Sequence, residues 1–281
     1  MDSTKILTKT QMNLAFLTPL LLLLATSSLG QDEAEKLFQE ALLKYERGNF
    51  YAAGAYFQEI VENFPTFELH DQCFYNAAYA YHEADSLELA IEWYERIRTS
   101  DLKDDDRVGG RGIFEPYANY KHYATTNIAT IEFNRGNYEK ALDYYRQSSS
   151  TYPYYNDSGT DLRINENRHA ICITDCLENL GRFDEALMTI LPPALDSQES
   201  VNYNAIAQRA LELINKHFDK NEIKLDLNSA LKTIEKLDES YSIWIRGKNV
   251  ILYPYVFGDD SIEGFRKSIE DSSFWLELNK Q

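Results

Sequence analysis

The sequence predicts an all-α fold built from repeated helix-turn-helix units, followed by a short C-terminal tail with a β-hairpin and two helices. Three stretches share one pattern, in which a turn Gly is followed two positions later by an aromatic residue and three positions after that by an Ala. These stretches are 47–53, 135–141 and 180–186. Each follows one amphipathic run and starts another. This repetition indicates a superhelical solenoid, a fold that usually offers a binding surface rather than a catalytic pocket.

Composition narrows the possible functions. The chain has 281 residues, with 45 Asp and Glu against 28 Lys and Arg, and a formal net charge of −17. This balance argues against nucleic-acid binding, which needs clustered basic charge. The 20 Tyr and 14 Phe residues are enough aromatic surface to bury a substantial core.

Residues 1–30 read as a secretory signal peptide. Basic residues come first, an apolar run covers 14–25, and Ser28-Leu29-Gly30 offers small residues before a cleavage site at Gln31. The apolar run is shorter than the roughly 20 residues of a membrane-spanning helix. We therefore expect export to the periplasm or cell surface, without a stable membrane span after cleavage. An uncleaved anchor is the alternative.

The repeat register can be followed from the Ala of each second helix. These residues are Ala53, Ala90, Ala141 and Ala186. Four positions later stand Phe57, Tyr94, Tyr145 and Ile190, so each pair shares one helix face. Pro65 and Pro153 end two of the second helices because Pro cannot continue the hydrogen-bond ladder. This spacing resembles the tetratricopeptide repeat (TPR) family in its exported bacterial form, which implies an α-α superhelix.

The register divides the chain into a solenoid over 31–240 and a capping tail over 241–281. The four clear units are 34–66, 71–102, 119–153 and 167–195, and a degenerate fifth covers 201–240. In the fifth we expect helices over 202–218 and 227–237. The tail should contain a hairpin over 242–253 and helices over 261–269 and 273–278.

Four features depart from a regular repeat. The second unit lacks Gly in its turn, Glu83-Ala84-Asp85-Ser86, and Pro192-Pro193 should cut the last helix of the fourth unit short. Segments 101–116 and 154–165 are inserted between units. Each insert either shapes a binding face or is an elongated helix with a solvated loop.

The family resemblance also implies a binding groove lined by the first helix of each unit. The corresponding residues are Phe38, Leu42, Tyr45, Tyr75, Asn76, Tyr79, His82, Tyr123, Asn127 and Phe133. In this family, Asn residues at the positions of Asn76 and Asn127 can hold the backbone amides of a ligand. The alternative is that these two residues satisfy local hydrogen bonds only.

The residues contain no recognisable catalytic or cofactor motif, so we expect a protein that is not an enzyme and has no cofactor. His169, Cys172 and Cys176 share one face of a predicted helix. They are either metal ligands or small fillers between repeats. Fillers are favoured, and no metal site is predicted, because the paired short spacings of a zinc site are missing.

The predicted function is that of an exported scaffold or adaptor that binds a protein or extended peptide in its groove, in cell-envelope assembly or transport. The alternative is a surface glycan-binding protein of a carbohydrate-uptake system, because Tyr and Trp faces can stack on sugars.

Overall fold

The computed structural model describes residues 30–107, 115–196, 203–253 and 259–280. The predicted signal peptide therefore lies outside the described residues, except for Gly30, and so does the 108–114 part of the first insert. The all-α class is confirmed: helices pack in consecutive pairs, and a small antiparallel sheet lies near the C-terminus. The described residues form two compact units, of which the first ends at Leu102 and the second begins at Lys103.

The first compact unit contains two helical hairpins. Its helices are α1 (30–46), α2 (Phe50–Asn63), α3 (His70–Glu83) and α4 (Leu87–Thr99). The second compact unit begins with two more, formed by α5 (Tyr120–Asn134), α6 (Tyr138–Ser150), α7 (Gly159–Asn179) and α8 (Phe183–Asp196). It continues with α9 (Tyr203–His217), α10 (Lys220–Ala230), β1 (Glu235–Lys236), β2 (Tyr241–Ile245), β3 (Lys248–Leu252), α11 (Ile262–Glu270) and α12 (Ser273–Asn279).

A residue with positive φ ends the first helix of each of the four hairpins. Gly48, Gly136 and Gly181 have φ values of 73°, 80° and 72°. In the second hairpin, which lacks the Gly, Asp85 takes the same left-handed conformation with φ 55°. Asp tolerates this region better than most L-residues, which explains why the hairpin forms without its Gly.

The helices of the first unit pack around large aromatic side chains. Tyr81, Trp93 and Tyr94 are almost fully buried. Tyr81 packs so close to Gly54 that a Cβ built on this Gly would lie 2.8 Å from the ring. The Tyr81 hydroxyl donates to Gln58 Oε1 at 2.7 Å, which fixes the ring from its far end. The small residue in α2 is therefore needed for α2 and α3 to approach each other.

The fourth hairpin differs from its prediction in both helices. Pro192 and Pro193 lie inside α8, which continues to Asp196. Ile190, Leu191, Ala194 and Leu195 are all buried around them, and this packing compensates for the missing backbone hydrogen bonds. The second insert largely extends α7, which already begins at Gly159, so the elongated-helix alternative holds there.

The second helix expected over 227–237 is placed wrongly. It is α10, seven residues earlier at its start, because the side chain of Asp219 accepts hydrogen bonds from the backbone N–H groups of Asn221 and Glu222. After α10 a single 3-10 turn, Leu231–Thr233, leads into β1, which pairs with β2. This strand is only two residues long and was not predicted from the sequence.

The predicted hairpin is confirmed as the pair β2–β3 in a sheet of order β1-β2-β3. Its turn residues are Arg246 and Gly247, both with positive φ, as a tight two-residue hairpin turn requires. The inner face of β2 is buried, and Tyr241 on this face stacks on Phe265 of α11 with 4.0 Å between ring centroids. The sheet thus shares one core with helices α6 to α12.

Replacing Gly54 with Ala should lower the free energy of unfolding by about 1–3 kcal/mol because the new methyl group collides with the Tyr81 ring. This loss should outweigh the gain of roughly 1 kcal/mol that Ala brings to an exposed helix position. Urea denaturation would measure it, with Ala55→Gly at the neighbouring exposed position reporting helix propensity alone. A Gly54→Ala variant as stable as the parent would contradict the close packing.

Candidate functional site

The most open part of the predicted groove is one face of α3. Gln72, Asn76, Tyr79 and Glu83 recur at steps of four, three and four, so they share a face, which we call the α3 stripe. Gln72, Tyr79 and Glu83 are exposed and Asn76 is half-buried. Within residues 30–107 the side chains of Gln72, Asn76 and Glu83 have no hydrogen-bond or ion-pair partner. The stripe thus presents an amide, a ring and a carboxylate.

Two aromatic rings lie beside that of Tyr79. Its ring centroid lies 6.4 Å from that of Tyr45 on α1 and 6.2 Å from that of Tyr75 one turn earlier. The planes differ by only 27° and 13°, so the three ring faces point in similar directions. Tyr79 is 37% exposed and Tyr75 only 6%. Tyr79 is therefore the contact surface of this ladder, and Tyr75 supports it.

The α3 stripe carries negative charge. Burial raises the pKa of Tyr45 to about 12, and the nearby Tyr79 and Glu83 add to the effect. A hydrogen bond between the Tyr45 and Tyr79 side chains contributes to the same shift. Burial lowers the pKa of His82, which lies 3.5 Å from the Tyr94 hydroxyl through Nδ1. A neutral His82 leaves the negative charge of Glu83 uncompensated.

Three other predicted groove residues of the first compact unit lie partly or wholly in its core. Phe38 is 7% exposed and packs edge-on against Phe57 at 5.8 Å. Leu42 is half-buried, and so is Tyr45, whose ring also contacts Phe50 at 4.9 Å. These residues shape the stripe from beneath rather than forming its open surface.

The predicted groove residues of the second compact unit already contact other side chains of that unit. The Tyr123 hydroxyl donates to Glu115 at 3.1 Å, and burial raises the Tyr123 pKa. Phe133 is half-buried with its ring 5.3 Å from Tyr138. Asn127 is half-buried and also has an interaction partner. This part of the chain offers less free surface than the α3 stripe.

Two buried histidines lie between α5 and α7. The rings of His122 and His169 stack at 5.1 Å with an interplanar angle of 22°. His122 Nδ1 donates to the carbonyl of Tyr152 at 2.8 Å, and His169 Nδ1 bonds the Ser149 hydroxyl at 2.9 Å. Burial lowers both pKa values, that of His169 to about 3. Both rings are therefore neutral and hold the helices together as polar fillers.

Each insert is tied to the start of α5 by polar contacts that could not be read from the sequence. The Asp104 carboxylate accepts hydrogen bonds from the backbone N–H groups of Lys121 and His122 and so caps α5. The Asn119 amide exchanges two hydrogen bonds with the backbone of Tyr155, at 2.8 and 2.9 Å. Long sequence separations hide such pairs, because no local pattern links residues 36 positions apart.

A second charged network closes the C-terminal end of α7. Arg209 Nε donates to Asp175 at 2.6 Å, and the same guanidinium contacts Glu178. Lys216 and His217 also bond Glu178, and these partners lower its pKa to about 2 against the opposing effect of burial. Asp175 and Glu178 are therefore both paired with basic residues of α9.

Comparison with known proteins agrees with this architecture. Residues 33–105 match the family model described as tetratricopeptide repeat. This segment is thus similar to tetratricopeptide repeats. No match was found among curated proteins. One similar solved structure contains nearly identical TPR-like repeats of kinesin-light-chain type from Podosopora anserina. It has 11% identity and a TM-score of 0.45, and the match covers 66% of this chain and 87% of that one.

Tetratricopeptide repeats typically act as protein-interaction scaffolds rather than catalysts, and this chain has the same helix pairs. Among the described residues, no helix is long and apolar enough to cross a membrane. The same residues contain no group of three or more His, Cys, Asp or Glu placed to hold a metal ion. Cys176 packs in the core, and burial raises its pKa to about 12, so its thiol is inert.

Low pH should destabilise the second compact unit through protonation of His169. Its pKa is 6.5 when unfolded and about 3 when folded. Its contribution is therefore complete above pH 6.5 and is lost as the pH falls towards 3. Between pH 7 and pH 5 the parent should lose about 2 kcal/mol more of its unfolding free energy than a His169→Gln variant. Urea denaturation at both pH values would measure this difference.

Ser149→Ala is the control, because it removes a His169 hydrogen bond without removing a titrating group. It should lower stability equally at both pH values. Equal pH dependence of the parent and His169→Gln would contradict a neutral buried His169.

Proposed function

We propose that this chain is an exported scaffold that binds an extended segment of a protein partner along the α3 stripe. The observation that carries the proposal is the exposed Tyr79, flanked by the unengaged side chains of Asn76 and Glu83. An extended peptide needs backbone hydrogen bonds and an apolar contact at short intervals. The Asn76 amide can both donate to and accept from a peptide backbone, and Tyr79 supplies a rigid contact surface.

The rigidity of the ladder supports binding. Tyr79 lies against Tyr45 and Tyr75, so its ring loses little conformational entropy when a partner covers it. Aromatic side chains of this kind are common energetic centres of protein interfaces. The stripe is one helix face, which suits a weak interaction with a linear segment better than a large interface between folded domains.

We propose that the chain acts in cell-envelope assembly or transport at the periplasm or cell surface. The signal-like residues 1–30 support this location.

A second candidate is glycan binding, which the C-terminal sheet favours. Trp244 and Tyr253 are 51% and 60% exposed. Strand alternation and the pairing of β2 with β3 put Trp244 and Ile251 on the outer face of the sheet, and Tyr253 directly follows β3. Aromatic faces of this kind can stack on sugar rings.

A photo-crosslinking residue at position 79 should capture a protein partner in the cells that produce the chain. The matched control is the same residue at position 51, because Tyr51 is also exposed but lies on α2. An added Asn76→Ala substitution should reduce the capture at 79 several-fold by removing backbone hydrogen bonds, each worth about 1 kcal/mol. Circular dichroism would check that helicity is unchanged.

Equal capture at positions 51 and 79, or none at 79, would contradict the assignment. Binding to a glycan array that is lost in Trp244→Ala, without any cross-linked protein, would favour the second candidate instead.

Export makes a separate prediction. N-terminal sequencing of the chain recovered from outside the cytoplasm should begin at Gln31, because the small residues Ser28 and Gly30 fit a signal peptidase. An intact N-terminus on that material would indicate an uncleaved anchor, and recovery only from the cytoplasm would contradict export.

A further inference from the structure

We propose that the partner segment carries a Lys or Arg side chain that lies on the ring of Tyr79 and pairs with Glu83. This inference rests on the proposed function and adds the chemical class of the ligand. Glu83 follows Tyr79 by four residues, one turn along the same face of α3. A cation on the ring can therefore reach the carboxylate without leaving the stripe.

The ring and the carboxylate attract the same kind of group. The face of a Tyr ring carries negative partial charge and attracts an ammonium or a guanidinium ion. The near-parallel planes of Tyr45, Tyr75 and Tyr79 turn their faces in a similar direction, so the attraction has one common side. A carboxylate beside the ring adds Coulomb attraction and hydrogen-bond acceptors for the same cation.

No internal cation occupies this position. Glu83 and the neighbouring Asp85 form no ion pair with residues 30–107, and none of those residues places a Lys or Arg over the Tyr79 ring. Elsewhere in the same unit the chain does use such contacts. Arg96 lies 3.9 Å from the centre of the Trp93 ring and 5.5 Å from that of Phe74. Tyr79 and Glu83 offer a ring face and a carboxylate to a cation, but no residue among 30–107 supplies that cation.

The surrounding charge favours a basic ligand and disfavours an acidic one. Between residues 31 and 102 there are 15 Asp and Glu against 5 Lys and Arg. Of those five, Arg98 is paired with Glu95, and Arg96 is committed to its aromatic partners. A basic segment is thus steered towards the unit, and an acidic segment is repelled.

The test compares fluorescent peptides of one length and one Gly-Ser-Leu framework that carry Arg, Gln or Glu at the same positions. Binding to the full chain would be measured by fluorescence anisotropy at low and at high salt. The Arg peptide should bind roughly tenfold more tightly than the Gln peptide, and the Glu peptide more weakly than either. High salt should reduce the difference between them.

Variants separate the stripe from general attraction to an acidic protein. Glu83→Gln and Glu59→Gln remove the same charge, but Glu59 lies exposed on α2. Arg-peptide affinity should fall about threefold or more in Glu83→Gln and stay unchanged in Glu59→Gln. Tyr79→Leu should lower it several-fold by removing the π face, whereas Tyr79→Phe, which keeps that face, should bind like the parent.

The outcomes distinguish the two levels of the proposal. Arg and Gln peptides that bind equally, with Glu83→Gln unchanged but Tyr79→Leu weakened, would overturn the cation and leave the stripe as a peptide site. Equal loss in Glu83→Gln and Glu59→Gln would reduce the effect to net charge and overturn the site for a cation. No binding of any peptide would overturn both this inference and the proposed function.

Discussion

A left-handed residue at the end of each first helix is the constraint on which the helical hairpins depend. It stops one helix and turns the chain so that the next helix returns along the first one. Gly supplies this conformation at positions 48, 136 and 181, and Asp85 supplies it once. The Ala that follows each turn then faces the first helix at close range, as the full burial of Ala53, Ala90, Ala141 and Ala186 shows.

The same pairing decides which side of a first helix stays open. In α3, the small residues Ala77, Ala78 and Ala80 are fully buried, and Tyr81 fills the space beside Gly54. That face of α3 is fully packed against neighbouring helices. The opposite face, which carries the α3 stripe, can therefore hold polar and aromatic residues without destabilising the core. An exposed Tyr79 is consequently compatible with a stable unit, because its neighbours Tyr45 and Tyr75 hold the ring.

Much of this architecture could be predicted because it depends on the spacing of residues that are close together in the sequence. The Gly turns, the Ala anchors and the β2–β3 hairpin each depend on residues a few positions apart, and their elements lie close to where the sequence places them. The second helix after α9 was misplaced because Asp219 caps a helix that already begins at Lys220. Pro192 and Pro193 misled for a different reason: tertiary burial of Ile190 and Leu195 outweighed their local effect.

The candidate site was only partly predictable, since a repeat register indicates which helix face is inward but not what covers it. Phe38 and Tyr79 were both predicted to line the groove, yet one ring lies in the core and the other is exposed. In the second compact unit, Glu178 lies on α7, the first helix of its hairpin, and is bonded by Arg209, Lys216 and His217. In the first unit, Glu83 has no such partner among the described residues. Repeats of one family can thus use the same face either to bind their own next helix or to remain available, and the pairing of charged groups, more than exposure, distinguishes the two cases.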